Sequence, residues 1–122
     1  MCVFIVYVYN TSYSPCIQAI DKQATYIYNV YMFEWDEKKN KTNTEKHGVS
    51  FEDASQAFYD PCRLITCDRG HSQIEDRYFC VGKISGGIVT VRFALRGGTI
   101  RIIGAGFWRD GRNEYEQRNK IH

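Results

Sequence analysis

The chain has 122 residues, a formal net charge of +2 and five cysteines, Cys2, Cys16, Cys62, Cys67 and Cys80. This odd set contains no C-x-x-C pair and no histidine at zinc-finger spacing, which argues against a structural metal site. We therefore expect reduced thiols in a cytoplasmic protein that needs neither metal nor cofactor.

Residues 1–31 differ in composition from the rest, because they hold only Asp21 and Lys22 among the charged residues but six of the nine tyrosines. The first ten residues lack the basic start and the cleavage site of a secretory leader, and their apolar run is too short to span a bilayer. We expect a poorly ordered or extraneous extension, with a strand added to the sheet as the alternative. Residues 32–122, without repeat, low-complexity tract or linker, then form one domain with one modest core.

Charge divides this domain into two halves. Residues 32–76 carry six Lys/Arg against ten Asp/Glu, a net of −4, whereas residues 77–122 carry nine against three, a net of +6. The basic second half favours a polyanionic partner, although a basic face is often only a solvated one.

A helix is predicted directly after the short strand FEWD. Asp36 suits its N-cap, Lys46 and His47 fall in its last turn, and Gly48 fits the left-handed position that ends it. The helix has no apolar stripe, so it must depend on its caps and on neighbouring elements.

A second helix is predicted over SFEDASQAFY, from the N-cap Ser50 to the helix-ending pair Asp60-Pro61. Phe51, Ala54 and Phe58 lie on one side of it. This helix is the better anchor to a core.

Alternation of period two then predicts four strands, RLITCD, DRYFCVGKI, IVTVRFALR and TIRIIGAGFW, before a C-terminal helix at RNEYEQRNK. We interpret Gly86-Gly87 and Gly97-Gly98 as two-residue hairpin turns. This register pairs Leu95 with Ile100, Phe93 with Ile102, Tyr78 with Leu95, and Ile84 with Val89.

The register gives the predicted sheet two different faces. The face that must be buried under helices carries Tyr78, Cys80, Ile84, Val89, Val91, Phe93, Leu95, Ile100 and Ile102. The opposite face carries Glu75, Arg77, Lys83, Arg92, Arg96 and Arg101 beside Phe79, Val81, Thr90 and Ile103. A solvated basic face of this kind suits a phosphodiester, and cations on the same side of three strands make solubility alone a weaker explanation.

The segments FEWDEKKNKTNTEKHGVSFEDA, DP, HSQIEDRYFCVG, VTVRF and IRIIGAG, in this order, resemble the BrnT family of toxins from bacterial toxin–antitoxin pairs. The resemblance covers Met32 to about Ile121, and family members typically begin at the position of Met32. It implies an α+β, RelE-like fold, with an antiparallel sheet of about four strands, helices packed on one face and a C-terminal helix.

The resemblance also implies a ribonuclease that blocks translation until a BrnA-type, ribbon-helix-helix antitoxin neutralises it. Operator DNA would be bound only through that complex, and no membrane partner is implied. Many family members carry an arginine after ISA on the last strand, whereas this chain has Gly106, as in an IGAG subgroup. The alternative function is therefore a catalytically degenerate module that docks an antitoxin or nucleic acid.

Candidate catalytic residues follow from the chemistry of metal-free RNA cleavage by the 2′-OH. The catalyst must move two protons and stabilise charge on the phosphoryl oxygens, and the planar fork of arginine suits the second task at Arg77, Arg92 and Arg101. Glu75 and His71 are the candidate proton carriers, in an order that the sequence leaves open. The remaining candidate RNA-binding cations are Lys46, His47, Lys83, Arg96 and Arg109.

Overall fold

A computed structural model describes residues 2–9, 28–68, 70 and 75–120, with the backbone alone for 2–9 and 28–30. The strands are β1 (Cys2–Tyr9), β2 (Tyr28–Trp35), β3 (Leu64–Cys67), β4 (Arg77–Ile84), β5 (Gly87–Arg96) and β6 (Thr99–Gly106). The helices are α1 (Glu37–His47), α2 (Phe51–Ala54), which continues as the 3₁₀ helix Ser55–Tyr59, and α3 (Arg109–Asn119).

The strands form one sheet in the order β1-β2-β6-β5-β4-β3. The predicted α+β class, the packed helices and the C-terminal helix are confirmed. The expected antiparallel sheet of about four strands differs from the structure in two respects, because six strands pair and β2 runs parallel to β6. β3 to β6 follow one another as antiparallel neighbours, and β2 pairs with the edge of β6 that they leave open.

The β5–β6 hairpin has the predicted register. Leu95 opposes Ile100 and Phe93 opposes Ile102. Gly97 and Gly98 form the turn at φ 56° and 84°, the left-handed region that a two-residue turn of this kind requires.

The predicted register of the β4–β5 hairpin is wrong. Ile84 opposes Gly87 rather than Val89, and Tyr78 opposes Phe93 rather than Leu95. The reason is that the turn consists of residues 85 and 86 instead of the glycine pair. Because the shift is two residues, every side chain stays on its predicted face.

The helix-covered face contains most of the predicted core. Cys80, Val89, Val91, Phe93, Ile100 and Ile102 are buried there together with Phe33, Trp35, Phe51 and Phe58. Leu95 is the exception, with 54% of its surface exposed, because it lies at the end of β5 next to the hairpin turn.

Both predicted caps of α1 are confirmed. The Asp36 carboxylate accepts a hydrogen bond from the backbone N–H of Lys38 at 2.9 Å, and Gly48 has φ 72°. In place of an apolar stripe, α1 buries two amides, Asn40 and Asn43. The helix is therefore attached by hydrogen bonds rather than by apolar burial.

The second helix also begins where the sequence predicts. The Ser50 hydroxyl accepts a hydrogen bond from the backbone N–H of Asp53, and Phe51, Ala54 and Phe58 are buried. Its second half tightens into the 3₁₀ helix, which packs against β4.

A β-bulge in β6 changes which side chains share a face. Arg92 pairs with Gly104 and Phe93 with Ile102, so Ile103 is an extra residue. The expectation that Ile103 lies beside Arg101 is wrong for this reason, and Ile103 instead lines a groove with residues of α1. After the bulge, Gly104 and Gly106 share the face of Arg92.

The C-terminal helix covers part of the face that we expected to be solvated. Val81 is buried there with Leu64 and Tyr115 of α3, because the helix packs across β4 and β5. The Tyr115 hydroxyl donates to Asp60 Oδ2 at 2.6 Å. Burial and this bond both raise the pKa of Tyr115, which stays protonated.

Two thiols in the described part of the chain are free, the exposed Cys67 and the buried Cys80, whose pKa is raised by burial. Cys62 is disulfide-bonded, so the expectation of a wholly reduced set is wrong at this position. Among the described residues, no helix has the length and apolar character needed to cross a membrane.

We expect the chain of residues 32–122 to fold on its own. Removal of residues 1–31 takes away β1, the first half of β2 and the ring of Tyr31, which lies 5.2 Å from that of Tyr59. One lost aromatic cluster costs on the order of 1 kcal/mol and lowers the melting temperature by about 4–8 °C. Thermal melts of the full chain, of residues 28–122 and of residues 32–122 measure this. Loss of a cooperative melt in the 28–122 chain, which keeps Tyr31, would show instead that the first strand belongs to the core.

Candidate functional site

Three arginines lie on adjacent strands of the sheet face opposite α1 and α2, and we call this surface the arginine face, after Arg77, Arg92 and Arg101. Across the sheet, Arg101 of β6 opposes Ala94 of β5, which opposes Arg77 of β4. Arg92 lies two residues before Ala94 on β5, and therefore on the same face. The expectation that three strands place cations on one side matches this geometry.

Each of the three arginines lies near a carboxylate. Arg101 is 3.8 Å from Glu34, Arg77 is 4.0 Å from Glu75, and Arg92 Nε is 3.4 Å from Asp68 Oδ2. These carboxylates hold the guanidinium groups in place and partly balance their mutual repulsion. Ala94 is fully buried in the middle of the row, as expected where long flanking side chains cover a small one.

Arg92 is the central cation of the arginine face. Its guanidinium lies over the Phe79 ring, 5.8 Å from the ring centroid, and its side chain is one third exposed. The Nε atom is buried and makes no hydrogen bond among the described residues, because the Asp68 carboxylate lies at ion-pair distance without hydrogen-bond geometry. The group is positioned but retains the capacity to bind an anion.

Glu75 belongs to a cluster at the rim of the arginine face. Arg96 donates to both of its carboxylate oxygens, at 3.1 and 3.2 Å. The hydrogen bonds from Arg96 hold the pKa of Glu75 below its ordinary value, with Arg77 and Arg101 acting in the same direction. Glu75 is therefore ionised at neutral pH and can accept a proton but not supply one.

The other predicted residues are dispersed. Lys83 lies near the β4–β5 turn, where its backbone N–H donates to Asp60, and Arg109 is an exposed first residue of α3. His71 lies outside the described residues. Lys46 and His47 line a groove of about 300 Å³ with Ile103, beside α1.

His47 reaches the arginine face through an aromatic contact that the sequence did not reveal. Its ring meets that of Trp108 edge-on, with centroids 5.3 Å apart. Trp108 in turn lies over Gly106, where an added Cβ would come within 2.6 Å of the indole ring. The indole of Trp108 thus covers the backbone at Gly106.

A groove of about 520 Å³ separates α3 from the sheet beside Arg92. Phe79 and Val81 contribute to its floor, Trp108 to one end, and Asp110 and Glu114 to the helix side. Thr90 also lines it, and the Thr90 hydroxyl is buried without a hydrogen-bond partner among the described residues. The groove combines flat apolar surface with a few polar groups, which is typical of a small-molecule or base-binding site.

Sequence reasoning missed Asp68 and Trp108. The position of Asp68 directly after β3 was visible, but its burial at 6% exposure beside Arg92 depends on the strand order. Trp108 follows β6, and the bulge in β6 determines the face on which the residues after it lie. A bulge interrupts the alternation of period two, so the sequence pattern does not reveal it.

The described residues contain no group of three or more histidine, cysteine or acidic side chains that could hold a metal ion. Among curated proteins, none matches this chain. A family model described as the ribonuclease toxin, BrnT, of type II toxin–antitoxin systems matches residues 35–111. The matched segment covers more than half of the chain and includes β3 to β6, which carry the arginine face.

The contact between Gly106 and Trp108 gives a direct prediction. Gly106→Ala should displace the indole, because its new Cβ has no room, whereas Gly104→Ala should not, because its Cβ would meet only Asn43 Oδ1 at 4.0 Å. Trp108 fluorescence and the chemical shifts of the His47 ring report the displacement. Unchanged spectra in Gly106→Ala would contradict the described packing.

Proposed function

This chain belongs to the BrnT family of ribonuclease toxins of type II toxin–antitoxin systems, and we propose that it cuts RNA without a metal ion, with the 2′-OH as nucleophile. The observation that carries the proposal is the row of arginines across β4, β5 and β6, of which Arg92 lies over Phe79 with one third of its side chain exposed. In phosphoryl transfer without covalent help from the protein, preorganised cations of this kind provide most of the rate acceleration.

The proposed reaction has a simple balance. The 2′-oxygen forms a bond to phosphorus while the bond from phosphorus to the 5′-oxygen breaks. The 2′-OH loses one proton and the departing 5′-oxygen gains one, so the products are a 2′,3′-cyclic phosphate and a 5′-hydroxyl. Arg77, Arg92 and Arg101 stabilise the charge that accumulates on the non-bridging oxygens.

We assign the base to Glu75 and the acid to His71. Glu75 is ionised because Arg96 lowers its pKa, and this suits it only for accepting a proton. The lowered pKa also makes it a weak base, so we expect its effect at the low end of the 10²- to 10⁴-fold range for general acid–base catalysis. On the acid side, activity should then fall only when the pH drops below the ordinary pKa of glutamate, and on the alkaline side it should fall when the histidine acid loses its proton. Lys46, His47, Lys83, Arg96 and Arg109 are left to bind the RNA backbone.

The biological setting follows from the same family membership. We propose that cleavage inhibits translation in the cytoplasm and that a BrnA-type, ribbon-helix-helix antitoxin blocks it and contributes the DNA binding of the complex. The alternative is a degenerate member that binds a partner without cutting RNA. The reason to consider it is that Gly106 stands where the resemblance leads us to expect an arginine. The two functions differ in whether the purified chain cuts RNA.

The proposal predicts that cleavage of RNA persists in EDTA and depends on Arg92. Arg92→Ala should reduce the rate by about 10²- to 10³-fold, as removal of one transition-state donor does elsewhere. Arg112→Ala is a matched control, because Arg112 is exposed on α3 and forms an ion pair with Glu116 at 2.8 Å. Melting temperatures of both variants establish that they fold.

Two results would contradict the mechanism. Cleavage that requires added magnesium would reject the metal-free step. A folded wild-type chain that binds RNA but never cuts it would favour the degenerate module.

We further propose that the antitoxin covers the arginine face itself. An arginine row beside Phe79 and Trp108 combines the anchors that protein interfaces favour. Arg101→Glu should then weaken both antitoxin binding and RNA cleavage, and Arg101→Gln provides the same test without placing a second carboxylate beside Glu34. Isothermal titration with the antitoxin decides the question. Unchanged antitoxin affinity in a variant that no longer cuts RNA would mean that the two surfaces are separate.

A further inference from the structure

The groove between α3 and the arginine face has walls suited to a flat ring. At one end the Arg92 guanidinium lies over Phe79 of β4, and at the other end the Trp108 indole lies over Gly106 of β6. β5 lies between these two strands, and Gly106 opposes Thr90, two residues before Arg92, so the two positions are offset both across the sheet and along it. Phe79, Arg92 and Trp108 line one groove of about 520 Å³, which is large enough to take a single nucleobase.

Several contacts hold the Trp108 wall in place. The His47 ring packs against the indole edge-on, and Gly106 lets the indole lie directly on the strand. The indole nevertheless remains 39% exposed, a large value for an aromatic side chain held from two sides. Exposed, fixed aromatic and guanidinium surfaces are the means by which proteins stack unpaired RNA bases.

The charges in the groove disfavour a phosphate there. Asp110 and Glu114 of α3 line the groove together with Arg92. Glu114 is engaged by Arg118 at 2.7 Å, whereas Asp110 is exposed and makes no ion pair among the described residues. A carboxylate without a partner repels a phosphate group but accepts hydrogen bonds from N–H donors. The phosphates of a bound strand would lie instead on the arginine face, next to the groove.

The carboxylate of Asp110 can only accept hydrogen bonds, and this property lets it distinguish between the bases. Guanine presents two adjacent donors on its Watson–Crick edge, N1–H and the N2 amino group, and both oxygens of a carboxylate can accept from them. Adenine, cytosine and uracil each present a single donor group beside an acceptor.

We propose that this groove is a base-recognition slot that takes one unstacked guanine, stacked between Trp108 and the Arg92–Phe79 pair and read by Asp110. The slot places the guanine beside the phosphate that the arginine face holds, so it would set the sequence at which RNA is cut. This inference rests on the proposed function for its role in cleavage, but the binding of guanine can be measured without cleavage.

The test uses short 2′-O-methyl RNAs, which cannot be cut, made of uridines with one guanosine, one inosine or no purine. Binding to the full chain is followed by RNA fluorescence anisotropy and by tryptophan quenching, for which the buried Trp35 is a constant background. We expect the guanosine RNA to bind about 10-fold more tightly than the inosine RNA, which lacks the N2 amino group. Trp108→Leu should weaken guanosine binding about 5- to 100-fold and abolish the quenching.

Asp110→Asn isolates the carboxylate, because an amide offers one acceptor and one donor group and therefore opposes one of the two guanine donors. It should remove the preference for guanosine over inosine. Asp53→Asn is the matched control, since Asp53 is likewise an exposed aspartate in the first turn of a helix, away from the groove. It should leave the preference intact.

The outcomes separate the slot from the ribonuclease. Equal binding of all three RNAs by the wild-type chain, or a preserved preference in Asp110→Asn, rejects the slot. Cuts in EDTA at sites without a neighbouring guanosine also reject the slot while they support the ribonuclease. Guanosine-specific binding by a chain that cuts no RNA supports the slot and rejects the ribonuclease.

Discussion

A single buried amide joins the first helix to the strand that builds the candidate site. Asn43 Nδ2 donates to the carbonyls of Ala105 and Val49, at 2.9 and 3.0 Å, and its Oδ1 accepts from the N–H of Ala105 at 3.2 Å. The amide thus pairs with β6 as a neighbouring strand would. Each of these groups would cost about 1–3 kcal/mol if it were left buried and unpaired. These bonds therefore fix the position of α1, which has no apolar stripe, and of the part of β6 that follows the bulge.

The order of the site follows from that attachment. Ala105 is held by Asn43, so the glycines on either side of it face the arginine row, and one of them, Gly106, admits the indole of Trp108. On the other side of the groove, α3 is tied to the sheet through Asp60, whose carboxylate accepts from the Tyr115 hydroxyl at 2.6 Å and from the Lys83 N–H at 2.7 Å. The groove therefore lies between two elements that are each fixed by buried or partly buried polar contacts.

Much of this architecture could be predicted from the sequence, because local signals determine it. The cap at Asp36, the Gly97-Gly98 turn and the alternation that places Arg92 on one face depend on residues close together in the chain. The sequence could not show the bulge at Ile103, the parallel strand β2 or the approach of His47 to Trp108, because these depend on contacts between distant segments. The arginine candidates are therefore brought together as expected, whereas the groove beside them emerged only from the structure.

The central claim is that the arginine face stabilises an attack by the RNA's own 2′-OH. The most direct measurement compares two RNAs that differ only in one ribose, 2′-hydroxyl or 2′-deoxy, on the 5′ side of the mapped cut, in EDTA. The account predicts that the ribose RNA is cut to a 2′,3′-cyclic phosphate and a 5′-hydroxyl and that the deoxyribose RNA is not cut at that position. Cleavage of the deoxyribose RNA at an unchanged rate, or a 5′-phosphate product, would contradict it, because water rather than the 2′-OH would then be the nucleophile.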